Sequence, residues 1–245
     1  MALPGLVLVH GGAHAGDCWD LTVHEIHRLE PDLDVLAVDM PGRRGKAGDL
    51  RTVTIADWVD SVVADIEAAG LDDVVIVAHS LGGVSVPGVV TKLGSSRVRE
   101  MVFASAFIPP DGTAVVDTLT GVFRSFARYG ARTGKVGELP RSIARLVFLN
   151  GVARRPREFM LSRLCAESPR VATESVSHRD MPDDVPRTWI LTLRDRALSV
   201  KSQRRSITAI GGCQTVIPMD TCHDMMVSEP ELLAEILVER CRSHA

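Results

Sequence analysis

Three residues spread over the sequence, Ser80, Asp195 and His223, have the side-chain types that nucleophilic catalysis requires. A serine hydroxyl is a weak nucleophile until a neighbouring base accepts its proton. A histidine can be that base, and a carboxylate can hold the imidazole in one tautomer and stabilise its protonated form. Whether the three residues can meet depends on the elements that carry them.

Ser80 lies in the stretch Val74-Val-Ile-Val-Ala-His-Ser-Leu-Gly-Gly83, where an apolar run passes through small residues into a predicted helix. This order is typical of a nucleophile elbow, a turn so tight that the residues around the serine must be small. Ala78 stands where a glycine is usual, and it is still small. The turn would place the backbone N–H of Leu81 at a helix N-terminus, where it can donate to an oxyanion. A serine with a purely structural role in this turn is the alternative.

Asp195 and His223 each follow a predicted strand, as Ser80 does. Residues just past the carboxyl ends of parallel strands converge on one crevice of an open sheet, so the three are expected to meet. Asp220 and Asp224 are nearer to His223 in sequence, but an aspartate in the same loop is badly placed to bond the far ring nitrogen. We therefore predict Ser80 as the nucleophile, His223 as the base and Asp195 as the carboxylate that orients it.

The loop after the first predicted strand, His10-Gly-Gly-Ala-His14, is a further candidate element. Gly11 and Gly12 let the backbone turn and present an N–H towards the pocket, as the second half of an oxyanion hole. Glycines after a first strand also suggest dinucleotide binding, but the full G-x-G-x-x-G pattern is absent. The cysteines have no metal-like spacing. We expect neither a metal nor an organic cofactor.

Short apolar runs alternate with helical patterns along the chain, which predicts an α/β fold with a doubly wound, mainly parallel six-stranded sheet. The runs are apolar throughout, as expected for strands that helices cover on both faces. The predicted strands are residues 6–9, 35–38, 74–77, 98–103, 189–193 and 215–217. The predicted helices lie near residues 17–30, 55–69, 83–93, 200–210 and 230–242. The last begins at Ser228-Glu229-Pro230, an N-cap signal with proline in the first turn.

Residues 109–186 break this alternation, because their pattern is helical but irregular and no strand returns. So long a segment is not expected as a loop inside a compact domain. We predict one domain over residues 1–245, with an inserted helical cap at about 109–186. Its arginines are expected on solvated helix faces, although a cap that favours an anionic substrate is an alternative. They include Arg124, Arg128, Arg132, Arg141, Arg145, Arg154, Arg155 and Arg157.

The composition is that of a globular chain able to bury one sizeable core, since 45% of its residues are hydrophobic. A net charge of −3 gives no reason to expect nucleic acid or a membrane surface as a partner. Five cysteines, an odd number without a C-x-x-C pair, are typical of reduced thiols. No basic leader follows Met1 and Ala2, and no apolar run approaches the roughly 20 residues that cross a bilayer. We expect a soluble, cytoplasmic protein.

Four motifs carry a resemblance over nearly the whole chain, although it is thin across the cap. They are H-G-G-x-H-x-G-x-x-W from His10, A-H-S-L-G-G from Ala78, D-R-x-L-S from Asp195 and C-H-D-M-M from Cys222. Together they resemble the plant methylesterase and hydroxynitrile lyase branch of the α/β-hydrolases, with its bacterial esterase relatives. The resemblance implies an α/β-hydrolase fold in which Ser80, Asp195 and His223 form the triad. It also implies an oxyanion hole made by the N–H groups of Gly12 and Leu81.

The same resemblance separates a hydrolase from a lyase. Members that cleave cyanohydrins have a lysine after the catalytic histidine and a threonine after the first-strand histidine, where this sequence has Asp224 and Gly11. A lyase needs a cation to stabilise departing cyanide, and an aspartate cannot supply one.

Gly11, His14 and Met225 are predicted substrate-pocket residues, with a purely structural polar role as the alternative for His14.

These observations predict a serine hydrolase that cleaves a carboxylic ester of a small, largely apolar molecule through an acyl-enzyme. A lactonase, an amidase or a cofactor-free enzyme that uses His223 as a base without acylation has the same triad, so these alternatives stay open. A hydrolase fold recruited as a small-molecule receptor is a further alternative, and the intact triad counts against it. Relatives often dimerise, so the resemblance is compatible with a homodimer.

Overall fold

The structure of the chain, a computed structural model, describes residues 3–119 and 121–245, without the side chains of residues 121–123, 126 and 131. The absence of a leader was predicted at Met1 and Ala2, and the predicted cap includes Thr120. These three positions lie outside the described residues.

The strands of the described residues form one large sheet and one very small one. They are β1 (Gly5–Val9), β2 (Val35–Val38), β3 (Val74–His79), β4 (Val98–Ala104), β5 (Gly137–Glu138), β6 (Ala166–Glu167), β7 (Arg187–Thr192) and β8 (Thr215–Met219). The large sheet has the order β2-β1-β3-β4-β7-β8. All its neighbouring strands are parallel, so the predicted α/β sheet of six strands is confirmed.

The helices follow the strands closely along the chain. They are α1 (Asp20–Leu29), α2 (Ile55–Ala68), α3 (Val86–Leu93), α4 (Val115–Thr118), α5 (Gly121–Thr133), α6 (Arg141–Val147), α7 (Arg154–Leu161), α8 (Val200–Ala209), α9 (Met225–Ser228) and α10 (Pro230–Arg242). Short 3-10 helices at Gly16–Trp19 and Ser80–Val84 precede α1 and α3. Within the described part of the chain, no helix is both long and apolar enough to cross a membrane.

Helices bury both faces of the sheet, which explains why β1 and β3 are buried at every position. Successive side chains of a strand point to opposite faces, so the two faces have separate cores. Leu8 belongs to the core that contains Ile26 of α1, whereas Val7 belongs to the core that contains Trp58 of α2. A strand held from both sides is a rigid support for whatever follows its last residue.

The strand register aligns the carboxyl ends of four neighbouring strands, three of which precede the candidate residues Ser80, Asp195 and His223. His79 is paired with Ala104, Ala104 with Ile190, and Thr192 with Met219. The loops that leave β3, β4, β7 and β8 therefore start from one edge of the sheet, as expected for an open parallel sheet.

The segment predicted as a cap, residues 109–186, contains α4 to α7 and also β5 and β6. These two strands pair antiparallel, with Gly137 opposite Glu167 and Glu138 opposite Ala166. The expectation that no strand returns in this segment is therefore wrong. Each strand has only two residues, too few to produce a periodic apolar pattern in the sequence.

The predicted N-cap residue of the last helix, Ser228, belongs to the preceding helix. Ser228 ends α9, and its hydroxyl donates to the Asp224 carbonyl at 3.2 Å instead of capping α10. Glu229 is the N-cap residue of α10 and makes no side-chain cap hydrogen bond. Pro230 does occupy the first turn, where a backbone N–H has no hydrogen-bond partner within the helix, so proline loses no hydrogen bond there.

Candidate active site

Ser80 begins a 3-10 helix directly after β3 and has a backbone φ of +48°. This left-handed conformation is uncommon for a residue with a side chain. Close packing surrounds it, since a Cβ at Gly11 would lie 2.7 Å from the Ser80 Cβ and one at Gly82 would lie 2.7 Å from the His10 carbonyl oxygen. The amide of Phe107 donates to the Ser80 carbonyl at 2.8 Å. The small residues of the predicted elbow are thus required by the available space.

A continuous chain of hydrogen bonds joins Ser80, His223 and Asp195. Nε2 of His223 lies 2.9 Å from Ser80 Oγ, and Nδ1 of His223 lies 2.7 Å from Asp195 Oδ2. All three residues are buried. An ionised carboxylate can only accept, so Nδ1–H donates to Asp195 and Nε2 accepts the Ser80 hydroxyl. The structure therefore brings together the predicted nucleophile, base and carboxylate.

His223 and Asp195 each shift the pKa of the other. Burial alone would lower the pKa of His223, but the Asp195 carboxylate and its hydrogen bond raise that pKa above the ordinary value of 6.5. Burial would raise the pKa of Asp195, but the histidine and the hydrogen bonds from Leu198 and Ser105 hold that pKa below its ordinary value. Each partner stabilises the charged form of the other.

Asp195 accepts hydrogen bonds from four further donors that the sequence patterns did not indicate. The hydroxyls of Ser105 and Thr192 donate to Oδ2 at 2.5 and 3.0 Å. The backbone N–H groups of Ala197 and Leu198 each donate to Oδ1 at 2.7 Å. These donors fix the orientation of the carboxylate and favour its ionised form. Ser105 directly follows β4, and that place past a strand end is the signal that could have found it.

Gln203, fully buried on α8, holds the loop that carries Asp195. Its amide nitrogen donates to the carbonyl oxygens of Thr192 and Leu198 at 3.0 and 2.9 Å. Its Oε1 accepts from the Thr192 N–H at 3.2 Å and from the Trp189 indole N–H at 3.3 Å. The helical pattern of residues 200–210 gave no sign of this role, because polar residues of an amphipathic helix usually face water.

A cavity of about 130 Å³ opens beside Ser80. Most of its described lining is apolar, and the larger side chains include Phe107, Leu119, Leu139 and Phe148. Gly12 and Leu81, the predicted oxyanion-hole residues, both lie in this lining. Among the lining residues that the structure describes, Glu167 carries the charge.

Gly11, His14 and Met225, the predicted pocket residues, do not lie in the described lining of this cavity. Gly11 packs against Ser80, where it has no room for a side chain. His14 and Met225 are buried in the interior, and Nε2 of His14 is 3.3 Å from Asp224 Oδ2. The described lining does not support the predicted substrate contacts, because Gly11 has no side chain and the side chains of His14 and of Met225, which begins α9, are packed in the interior. The structural alternative for His14 agrees with its position.

Among the described residues, His14, His79 and Asp224 have donor atoms of metal-ligand type that lie within 4.8 Å of one another. His14 is already paired with Asp224, and the His79 Nε2–H donates to the His223 carbonyl at 3.2 Å. Burial lowers the pKa of His79 to about 3, so that ring is neutral. None of the three lies in the described cavity lining. They form a buried polar layer beside His223.

The chain belongs to the alpha/beta hydrolase family, whose profile matches residues 6–236. The family predicted from the four motifs is thereby confirmed. Over 117 residues the chain is 30% identical to a carbendazim hydrolyzing esterase of Nocardioides sp. (strain SG-4G), and this match spans about half of each protein, 48% of both.

Two further relatives match almost the whole chain. Methylesterase 9 of Arabidopsis thaliana is 25% identical over 254 residues, which cover 95% of this chain and 96% of that protein. An extracellular alpha/beta-hydrolase from a Paenibacillus species, described as sharing structural and functional homology with tobacco salicylic acid binding protein 2, superposes with a TM-score of 0.83. That structure is 23% identical, and the superposition covers 97% of this chain and 98% of that one.

Replacement of Asp195 with Asn is expected to lower kcat about 10⁴-fold, because the amide no longer orients or charges the histidine. A base must be neutral, so kcat/KM should rise with pH through the pKa of His223, with a midpoint above 6.5 in the unaltered enzyme. Loss of the carboxylate should move that midpoint to lower pH. The pH profile of p-nitrophenyl acetate hydrolysis measures both effects. Asp220→Asn, in an exposed ion pair with Arg194, is the matched control, and an unaffected Asp195→Asn enzyme would contradict the assignment.

Replacement of Ser105 with Ala should reduce the free energy of unfolding at neutral pH by about 1.5–3 kcal/mol, the usual contribution of a hydrogen bond to a charged group. Because the folded-state pKa of Asp195 is lowered, this contribution is present above the unfolded pKa and is lost as pH falls through the folded pKa. Urea unfolding at neutral and acidic pH measures the loss. Ser85→Ala is the control, because it removes a buried hydroxyl that donates to the neutral Gly82 carbonyl, and it should lose the same stability at neutral and at acidic pH. An equal loss at the two pH values for Ser105→Ala would refute the charge effect.

Proposed function

We propose that this chain is a serine carboxylesterase in which Ser80 attacks the carbonyl carbon of a small ester. The observation that carries this proposal is the unbroken hydrogen-bonded chain from Ser80 through His223 to Asp195, beside an apolar cavity. Membership of the alpha/beta hydrolase family and the esterase names of two relatives support it. Fold alone does not decide chemistry, so the arrangement of the three side chains is the stronger support.

In the acylation step, Nε2 of His223 accepts the hydroxyl proton while the Ser80 oxygen bonds to the ester carbonyl carbon. The carbonyl oxygen becomes an oxyanion, which accepts hydrogen bonds from the N–H groups of Gly12 and Leu81. The Asp195 carboxylate stabilises the imidazolium that forms. His223 then donates its proton to the alcohol oxygen, the ester C–O bond breaks, and the acyl group stays on Ser80.

In the deacylation step, a water molecule takes the place of the departed alcohol. His223 accepts a proton from this water as its oxygen attacks the acyl carbon, and the same N–H groups hold the second oxyanion. The proton returns to Ser80 Oγ as the acyl bond breaks and the carboxylic acid leaves. The raised pKa of His223 makes it a better proton acceptor in both halves of the cycle.

The proposed substrate is a small ester with largely apolar acyl and alcohol parts. Apolar side chains line the cavity, and a ligand that replaces water against them is favoured by roughly 25 cal/mol per Å² of buried apolar surface. The cap arginines do not lie in the described lining, and all but the half-buried Arg157 among those eight are exposed. This distribution favours a neutral substrate over an anionic one.

An organophosphonate with a good leaving group should phosphonylate the protein once, because Ser80 is the activated nucleophile. Intact-mass analysis should show one adduct on the unaltered protein and none on Ser80→Ala. Ser85→Ala is the control, because the Ser85 hydroxyl is buried and donates to the Gly82 carbonyl, and this variant should form the same single adduct as the unaltered protein. A folded, unaltered protein that forms no adduct would rule out the nucleophile.

A panel of matched substrates tests the class of ester. p-Nitrophenyl butyrate and neutral aryl methyl esters should be hydrolysed with higher kcat/KM than the monoanionic p-nitrophenyl hemisuccinate, since no described cation lines the cavity to pair with a carboxylate. Lactones and anilides of similar size in the same panel separate esterase from lactonase and amidase activity. Preference for the hemisuccinate would overturn the neutral-substrate proposal.

A further inference from the structure

The cap contacts the loop that carries Gly12 through the short segment Cys165–Glu167. The N–H of Cys165 donates to the Ala13 carbonyl at 2.8 Å, and the N–H of Ala13 donates to Glu167 Oε2 at 3.0 Å. Both polar backbone groups of Ala13 are therefore held from the cap. These hydrogen bonds are tertiary contacts, because they join parts of the chain that are far apart in sequence.

Ala13 needs such support because its backbone φ is +60°, in the left-handed region that residues with a side chain rarely adopt. It follows Gly12, which has no side chain that could pack the loop in place. A Cβ at Gly12 would lie 3.2 Å from Glu167 Oε2 and 3.2 Å from a Leu81 methyl group, so the carboxylate lies directly beside the predicted oxyanion donors.

The two peptide groups that flank the Gly12 Cα are each held by one side chain. The peptide that contains the Gly12 N–H also contains the Gly11 carbonyl, which accepts from His10 Nδ1 at 2.8 Å. The next peptide contains the Ala13 N–H, which Glu167 holds. Both planes are fixed, and so is the direction of the Gly12 N–H.

A carboxylate beside an oxyanion hole would oppose the developing negative charge unless a cation compensated it. Arg43, with a fully buried side chain, supplies that cation at 2.7 Å from Glu167 Oε1. Arg43 also donates to the carbonyl oxygens of His14 and Ala166 at 3.0 and 2.5 Å, so it joins the same loop to the same cap strand. The backbone N–H of Ser168 donates to Oε1 at 2.6 Å.

We propose that Glu167, compensated by Arg43, is a positioning residue that holds the Gly12–Ala13 peptide and thereby aims the Gly12 N–H at the oxyanion. This role rests on the proposed serine esterase function. It makes the geometry of the oxyanion hole depend on docking of the cap segment 165–167. An oxyanion donor acts chiefly in the transition state, so a displaced donor lowers kcat and leaves substrate binding nearly unchanged.

Glu167→Gln is the test, because an amide has one acceptor oxygen and cannot serve both Arg43 and the Ala13 N–H. With p-nitrophenyl butyrate, kcat should fall about 10- to 100-fold, somewhat less than complete loss of one oxyanion donor. KM should stay within about twofold of its unaltered value. Phenylboronic acid, which forms a tetrahedral adduct with an active serine, should lose affinity in parallel with kcat, whereas benzyl alcohol as a ground-state ligand should not.

Glu138→Gln is the matched control, since Glu138 lies on the paired strand β5 and is exposed. It should keep the kcat of the unaltered protein. If Glu167→Gln does not fold, Glu167→Asp keeps the charge beside Arg43 but is one methylene shorter, and it should show the same kcat loss with unchanged KM.

Two results would overturn the positioning role. The first is an unaltered kcat in a folded Glu167 variant, and the second is a raised KM with unaltered kcat, which would make Glu167 a substrate-binding residue instead. An unaltered protein that neither hydrolyses esters nor forms the Ser80 phosphonate adduct would contradict the proposed function itself. The two failures are thus distinguishable.

Discussion

The left-handed backbone of Ser80 is the constraint on which the rest of the site depends. A strained residue of this kind costs about 1–3 kcal/mol and persists only where its surroundings enforce it. Here β3 is buried along its whole length, and the turn after it packs so closely that Gly11 and Gly82 have no space for a Cβ. The same close approach brings Leu81 and Gly12 together at the cavity wall. One tight turn therefore sets the position of the hydroxyl and of Leu81, and it packs directly against the loop that carries Gly12.

A second strained serine supports the opposite end of the hydrogen-bonded chain. Ser105 follows β4 with a φ of +50°, as Ser80 follows the adjacent β3, and its hydroxyl donates to the Asp195 carboxylate. Burial of an unpaired carboxylate would be very unfavourable, so the donors around Asp195 are a condition for its place in the interior. Gln203 holds the backbone of that loop from α8. Ser80 and Asp195 are thus fixed from neighbouring strand ends, and His223 bridges them.

The sheet and the three central side chains could be predicted from the sequence because both depend on strong local signals. Buried parallel strands are continuous apolar runs, and residues past their ends must share one edge. The residues that sequence reasoning missed or misplaced depend instead on the direction of individual side chains in loops and helices. Ser105 and Gln203 have their roles because their side chains are directed towards Asp195 and its loop. The side chains of His14 and Met225 are directed into the interior and not into the cavity. Spacing along the chain does not determine such directions.

The segment predicted as a cap was the least predictable part, for a related physical reason. Its strands β5 and β6 have two residues each, so their pairing comes from tertiary contacts and not from periodicity. Yet this small sheet carries Glu167 to the loop of Gly12, where Arg43 compensates its charge. The usual division, in which a sheet supplies chemistry and a cap supplies specificity, is incomplete for such an arrangement. In the proposed role, Glu167 links substrate enclosure to transition-state stabilisation, because the same side chain lines the cavity and accepts from the Ala13 N–H beside Gly12.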